Sequence, residues 1–461
     1  MVFSSLFFLF TYLPVVLFLY YLLPKKYRNL FLLIANLFFY GFSEPIYILI
    51  MIASIFIDYT HGLLVQKNRY HSKKAKYFVI QSIVLNLSLL LFFKYYDFIL
   101  LNLQNIMPIF NNFEPLGLPL PVGISFYTFQ TMSYTIDIYR RDAKAQRNLI
   151  DFGMYVTLFP QLIAGPIIKY KDVASQLNQR HENIDHFASG IKKFTLGLFK
   201  KVLLANNIGM LFDVYKVMPT SELSVIGSWL GIFAFSMQLY FDFSGYSDMA
   251  IGLGRMFGFE FLENFNYPYI ASSATDFWRR WHMSLSTWFK EYVYIPLGGN
   301  RKSQYRNILI VWILTGIWHG AQWNFLLWGC YYAVVLIIEK LFLLKIIHKF
   351  PKLCKHIYAI FIIFIGWTIF AIEGNGSEAY HYLSVMFGQG HFIDAQTIYY
   401  FQNYLIISIV CIIFSVPLTK KINLPKHLKE SITIILVAIT LIACTAYLVD
   451  ASYNPFLYFR F

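Results

Sequence analysis

The chain has 461 residues, of which 58% are hydrophobic, 20% aromatic and only 13% charged, with a formal net charge of +14 and a mean hydropathy of +0.53. An ordinary soluble domain of this length does not show that balance, so an all-α polytopic membrane protein is expected. The surplus of Lys and Arg fits cytoplasmic loops that face an anionic leaflet, and no nucleic acid is needed to explain it.

A helix needs about 20 apolar residues to cross a bilayer. Such runs lie near 4–22, 29–43, 46–65, 77–103, 149–166, 224–256, 307–343, 357–371, 400–418 and 431–449, so about ten or eleven spanning helices are expected. The first run lacks a basic flank and a small-residue cleavage site, so it is expected to stay in place as a helix. Lys25, Lys26 and Arg28 follow it, "SEP" at 43–45, without Lys or Arg, comes next, and "QKNRYHSKKAK" at 66–76 is strongly basic. Basic loops thus alternate with a non-basic one, which places the N-terminus outside the cytoplasm. The runs at 118–138 and 190–214 carry Gly, Thr and Lys and read as re-entrant or interfacial pieces, tolerated where protein or a cavity surrounds them.

The densest polar and aromatic stretch is 238–324. Asp242 and Asp248 in "FDFSGYSDMA" lack metal-ligand spacing and are expected to act as hydrogen-bond partners between helices. Within 277–301, Trp278, Trp281, Leu285, Trp288 and Tyr292 recur at helical spacing. This predicts one amphipathic helix at the membrane surface, with its tryptophans at headgroup level and Ser273, Thr275 or Asp276 as its N-cap. "PLGGNR" at 296–301 reads as the turn that ends it. His282 lies in this segment. His319 follows the apolar run "ILIVWILTGIW" and is flanked by Trp318, Gly316 and Gly320. A neutral imidazole there can take a proton from a hydroxyl and return it to a leaving group, or can simply join two helices by hydrogen bonds. No serine-hydrolase elbow accompanies the histidines, which disfavours a serine hydrolase, and a lone general base suggests transfer from an already activated donor such as a thioester. Cys330, Cys354, Cys411 and Cys444 are scattered, so neither a disulfide framework nor a metal site is indicated.

Towards the far end, Lys345, Lys349, Lys352 and Lys355 mark an inner loop, and residues 372–399 carry Glu373, Glu378 and Asp394 but no Lys or Arg. Lys420, Lys421, Lys426 and Lys429 mark another inner loop. The sequence "DASYNPFLYFRF" at 450–461 is therefore expected outside the cytoplasm, with Phe456, Tyr458, Phe459 and Phe461 forming an aromatic hook. By itself the hook reads equally as an interfacial anchor or a docking element.

"GISFYTFQTMSYTIDIYR" (123–140), "FPQLIAGPI" (159–167), "QLYFDFSGYSDMAIGLG" (238–254), "FWRRWHMSLSTWFKEYVYIPLGGNR" (277–301) and "GIWHGAQWNFLLWG" (316–329) resemble the bacterial branch of the membrane-bound O-acyltransferase family. This branch includes alginate and peptidoglycan O-acetylation proteins and, more distantly, the D-alanyl transfer protein of teichoic acids. The resemblance implies one integral-membrane acyltransferase domain over 1–461, a ring of helices around a tunnel. It would comprise N-terminal helices over 1–110, a core over 118–345, C-terminal helices over 357–449 and the tail over 450–461. It implies His319 as the catalytic histidine and His282 as the second family position, which holds donor or acceptor. Trp318, Trp281, Asp276 and Tyr240 are expected along the tunnel. The ending "FLYFRF" resembles a motif of this branch whose tyrosine, here Tyr458, is proposed to carry the acyl group. In the D-alanyl system that motif sits on a separate peptide, and its fusion here favours O-acetylation.

The implied donor is acetyl-CoA, with a carrier-protein thioester as the other possibility; no bound cofactor and no metal are implied. The implied partners are an extracytoplasmic serine-dependent acetyltransferase of the SGNH-hydrolase kind and a polysaccharide acceptor, and the implied location is the bacterial cytoplasmic membrane. A multi-pass transporter or flippase is the competing reading, and a structural scaffold for an outer acetyltransferase is a third. The first is weakened because the sequence shows no inverted repeat.

Overall fold

The computed structural model describes residues 1–163, 165–374, 376–418, 425–450 and 453–455. Tyr458, the aromatic residues around it, and Lys420 and Lys421 lie outside the described residues. Among the described residues the chain is helical and contains no strand.

Two compact units form: one from 1–194 with 247–262, the other from 195–246 with 263–461. The stretch 118–345, expected as one core, is shared between them. Every described candidate site residue belongs to the second unit.

The first unit begins with α1 (Leu13–Leu22), α2 (Lys25–Gly41), α3 (Ile48–Lys67), α4 (Ser72–Ile106), α5 (Ile124–Arg140) and α6 (Leu149–Thr157). A buried carboxylate ties three of them together. Asp58 on α3 accepts from Ser82 Oγ at 2.6 Å and Asn86 Nδ2 at 2.9 Å on α4, and Asn86 in turn accepts from Thr131 Oγ1 of α5 at 3.3 Å. Buried polar groups of this kind are retained when their hydrogen bonds are made. Of the two stretches read as re-entrant or interfacial, 118–138 has no regular structure up to a turn at 122–123, followed by the buried helix α5. Gly123 opens α5 at φ 76°, where a Cβ would lie 2.4 Å from the Leu162 carbonyl oxygen.

The remaining α-helices of five or more residues are α7 (Ile184–Phe199), α8 (Asn206–Val217), α9 (Val225–Met256), α10 (Ala274–Trp278), α11 (Met283–Phe289), α12 (Gln304–His319), α13 (Trp323–Ile338), α14 (Lys352–Ala371), α15 (Ser377–Ser384), α16 (Ala395–Phe414) and α17 (Lys426–Asp450). A wider π turn, Lys200–Ala205, joins α7 to α8. Among the described residues five helices are long and apolar enough to cross a membrane: α3, α4, α14, α16 and residues 427–450 of α17. That is fewer than the ten or eleven runs expected, and for two of those runs the reason is that hydropathy ignores where the backbone bends. The 149–166 run breaks at Leu158, ahead of Pro160, and the 307–343 run folds back at 320–322 into the hairpin α12–α13. A multi-pass membrane protein results.

Asp242 and Asp248 do more than bond between helices. Asp248 Oδ1 meets Lys193 Nζ at 2.9 Å and Asp242 Oδ1 meets Lys201 Nζ at 2.8 Å, so both are ion-paired carboxylates.

Candidate active site

The α12–α13 hairpin sets the first histidine. Two glycines face each other across it: a Cβ on Gly316 would lie 2.5 Å from the Phe325 carbonyl oxygen, and one on Gly329 would lie 2.5 Å from that of Trp312. Small residues at such a crossing let two backbones approach closely inside a membrane. His319 is the last residue of α12, before the extended Gly320, and is buried. Aromatic rings surround it, with Trp318 and Trp328 each at 5.0 Å, Phe370 at 5.3 Å and Phe325 at 6.4 Å between centroids.

The second histidine lies where the sequence promised a continuous helix. Instead of one amphipathic surface helix, residues 274–294 form α10, a break, α11 and a π turn at Lys290–Tyr294. Ser273 caps α10 by accepting from the Asp276 N–H at 3.0 Å. The carboxylate of buried Glu339 takes the remaining end groups, accepting from Ala274 N at 2.7 Å, Thr275 N at 2.8 Å and Thr275 Oγ1 at 2.6 Å. An anion there also suits the positive end of the helix.

The break centres on His282, whose φ of 44° and ψ of 54° are left-handed, a conformation that costs a non-glycine residue energy and clusters at functional sites. Asn264 compensates. Its carbonyl accepts from Met283 N at 2.9 Å, and its Oδ1 accepts from Ser284 N at 3.1 Å and Ser284 Oγ at 2.9 Å. That same Oδ1 is 3.2 Å from His282 Nδ1. An amide oxygen can only accept, so Nδ1 carries the proton and Nε2 presents its lone pair. Burial pushes the imidazole down to about 3, which keeps it neutral.

Of the tryptophans expected at headgroup level, Trp281 and Trp288 are buried and Trp278 is half-buried. Trp278 packs on Trp312 and Tyr332 at 4.8 Å each, and Trp281 lies between Phe277 at 5.4 Å and Trp367 at 5.0 Å.

Both histidines line one cavity of about 290 Å³. Trp278, Trp281 and Trp312 contribute apolar surface to it, and the exposed cations Arg279, Lys290 and Lys340 line it as well. Trp318 bridges the two imidazoles, with its ring 6.1 Å from His282 and 5.0 Å from His319. Tyr240 sits behind Trp281, at 6.2 Å. Asp276 accepts from Ser272 N at 3.1 Å and from Arg280 Nε at 2.9 Å, which ties it to the backbone of its own segment. Of the expected positions, His282, His319 and Trp281 line the cavity, whereas Trp318, Asp276 and Tyr240 are not among its lining residues. Tyr458 lies outside the described residues. Asn264, Glu339 and the three cations were not anticipated. Asn264 had one available signal: with Asn266 it is one of two amides in the aromatic loop "ENFNYPY".

The profile described as "MBOAT, membrane-bound O-acyltransferase family" matches residues 120–377. A probable alginate O-acetylase AlgI of Pseudomonas aeruginosa is 44% identical over 398 residues, covering 85% of this chain and 75% of the relative. The peptidoglycan O-acetyltransferase of Helicobacter pylori is 35% identical over 426 residues, covering 84% of this chain and 80% of the relative. The teichoic acid D-alanyltransferase of Bacillus subtilis is 30% identical over 231 residues, covering 47% of this chain and 58% of the relative.

Proposed function

The chain belongs to the membrane-bound O-acyltransferase family, and from that premise we propose that it takes an acetyl group from a cytoplasmic thioester and passes it outward to a cell-envelope polysaccharide of the alginate or peptidoglycan kind. It is an O-acyltransferase. The observation that carries the finer reading is that His282, His319 and three cations line one shared cavity.

In this reading His319 accepts the proton of an attacking hydroxyl as its oxygen bonds to the thioester carbon. The C–S bond breaks, and the imidazolium returns the proton to the departing thiolate. His282 stays neutral, and its Nε2 lone pair receives a hydrogen bond that orients the acceptor. Tyr458 is the first acceptor. A thiol has a pKa near 8.5 and a phenol one near 10, while an aliphatic hydroxyl is close to water at about 16, so an acetyl group on a phenol remains activated. From there it passes to a serine of an extracytoplasmic SGNH-like partner and then to a sugar hydroxyl. The basic loops of the sequence support a cytoplasmic-membrane orientation with both termini outside.

The test uses proteoliposomes given acetyl-labelled acetyl-CoA, with the label mapped by peptide mass spectrometry. Label on Tyr458 that disappears in His319→Ala supports the relay. Absence of label in the wild type, with or without acceptor protein, overturns it. A transporter instead moves a solute with no donor-dependent acylation.

The exposed cations favour an anionic donor, because charged donors and acceptors make the stronger contacts. The double variant Lys290→Glu, Lys340→Glu is expected to raise KM for acetyl-CoA at least tenfold and to leave KM for a small neutral acetyl thioester unchanged. Steady-state kinetics with both donors check this. Asn264→Ala removes the acceptor that holds His282 Nδ1–H, and its kcat is expected to fall about tenfold at unchanged donor KM. That corresponds to the one to three kcal/mol typical of an unsatisfied buried group.

A further inference from the structure

A buried charge pair in the second unit holds the chain's own C-terminal segment. Lys201, in the π turn between α7 and α8, is 2.8 Å from Asp242 of α9, and both side chains are 3% exposed. π turns recur at functional sites, and a buried ammonium is costly unless its protons find acceptors in addition to the opposing charge. Asn206 Oδ1 accepts one at 2.9 Å, and the carbonyl of Pro455 accepts another. Asn206 Nδ2 also reaches Asn454 Oδ1 at 3.2 Å, and the Tyr453 hydroxyl donates to Asp213 Oδ2. Each of the residues 453–455 is therefore gripped by the π turn or by α8, and the tail contributes to the solvation of the ammonium.

The location of this grip matters. The residue after Asp242 is Phe243, whose ring stands edge-on to His282 at 4.7 Å. One turn of α9 thus carries the counter-charge for Lys201 and packs on His282. Any three residues span at most about 11 Å, so fixing Pro455 puts everything up to Tyr458 on a short leash. A short tether raises the effective concentration of what it carries to the millimolar range.

We infer that Lys201, Asp242, Asn206 and Asp213 form a clamp that positions the C-terminal segment for acyl transfer. The positioning role rests on the reading of Tyr458 as acyl carrier; the clamp itself does not.

The test uses the full-length protein in nanodiscs and two readouts. The first is carboxypeptidase trimming followed by intact mass. Loss of residues 453–455 is expected to be at least tenfold faster in Asn206→Ala, and in Lys201→Met combined with Asp242→Leu, which leaves no charge buried. Equal rates in wild type and variants overturn the clamp. The second is acetyl label on Tyr458, expected to fall at least tenfold in both variants, whereas His319→Ala loses label with trimming unchanged. Faster trimming with full labelling overturns the positioning role. No label in the wild type overturns the carrier reading, and the trimming rates still decide the clamp. Unchanged elution and Tm exclude misfolding as the cause.

Discussion

Replacing His319 by alanine is expected to lower acetyl transfer by about 10²- to 10⁴-fold, the range a general base contributes. The loss should appear in kcat, because the cations and indoles that line the cavity with it remain in place. The fold should survive. His319 is enclosed by Trp318, Trp328, Phe325 and Phe370, so truncation leaves a void between rings without exposing charge, and it lowers Tm by a few degrees. His319→Gln fills much of the void and can hydrogen-bond but cannot act as a base at neutral pH, which separates the two roles. Donor-dependent acetylation measured on both variants checks the expectation. A Gln variant with full activity would reduce His319 to a packing residue.

A comparable loss is expected from a residue that touches no substrate. Gly329→Val places a Cβ about where the ideal one falls, 2.5 Å from the Trp312 carbonyl oxygen and 3.3 Å from Gly316 Cα. Both are backbone atoms, so no rotamer change relieves the overlap and α12 must move away from α13. His319 ends α12, while Trp328 belongs to α13, so the shift pulls the imidazole out of its ring of aromatics. A displacement of about 1 Å costs about 10² in rate, and overpacking adds about 1–3 kcal/mol of lost stability. Gly329→Ala, with the same Cβ but no branch, should lie between wild type and valine. Kinetics and thermal unfolding of the series provide the check, and a valine variant with normal kcat would show that the hairpin spacing does not set the geometry.

Some parts of the site were legible along the chain and others were not. His319 stood out as an ionisable residue ending an apolar run with glycines on either side, a local signal that burial alone turns into a functional candidate. Ser273 was one of three possible caps because N-cap chemistry acts over three residues. The break at His282 was hidden. The spacing of Trp278, Trp281, Leu285, Trp288 and Tyr292 runs straight through it, and the groups that make the break affordable belong to Asn264, which accepts the N–H bonds that a continuous helix would have made internally. Periodicity reports which face is apolar and carries no information about a hydrogen-bond acceptor supplied from another loop.

Composition, the alternation of basic and non-basic loops, the ordered motifs and the two histidines determined the class of this protein: an all-helical membrane acyltransferase. Those properties are local or summed along the chain, and hydrophobic free energy scales with what is summed. The tertiary structure alone decided that His282 and His319 share a cavity, that Arg279, Lys290 and Lys340 line it with them, and that Lys201 meets Asp242 beneath residues 453–455. These pairings join positions tens to hundreds of residues apart. What brings them together is close packing at glycine crossings and the need of each buried charge for a partner, and neither leaves a mark on the residues next to it in sequence.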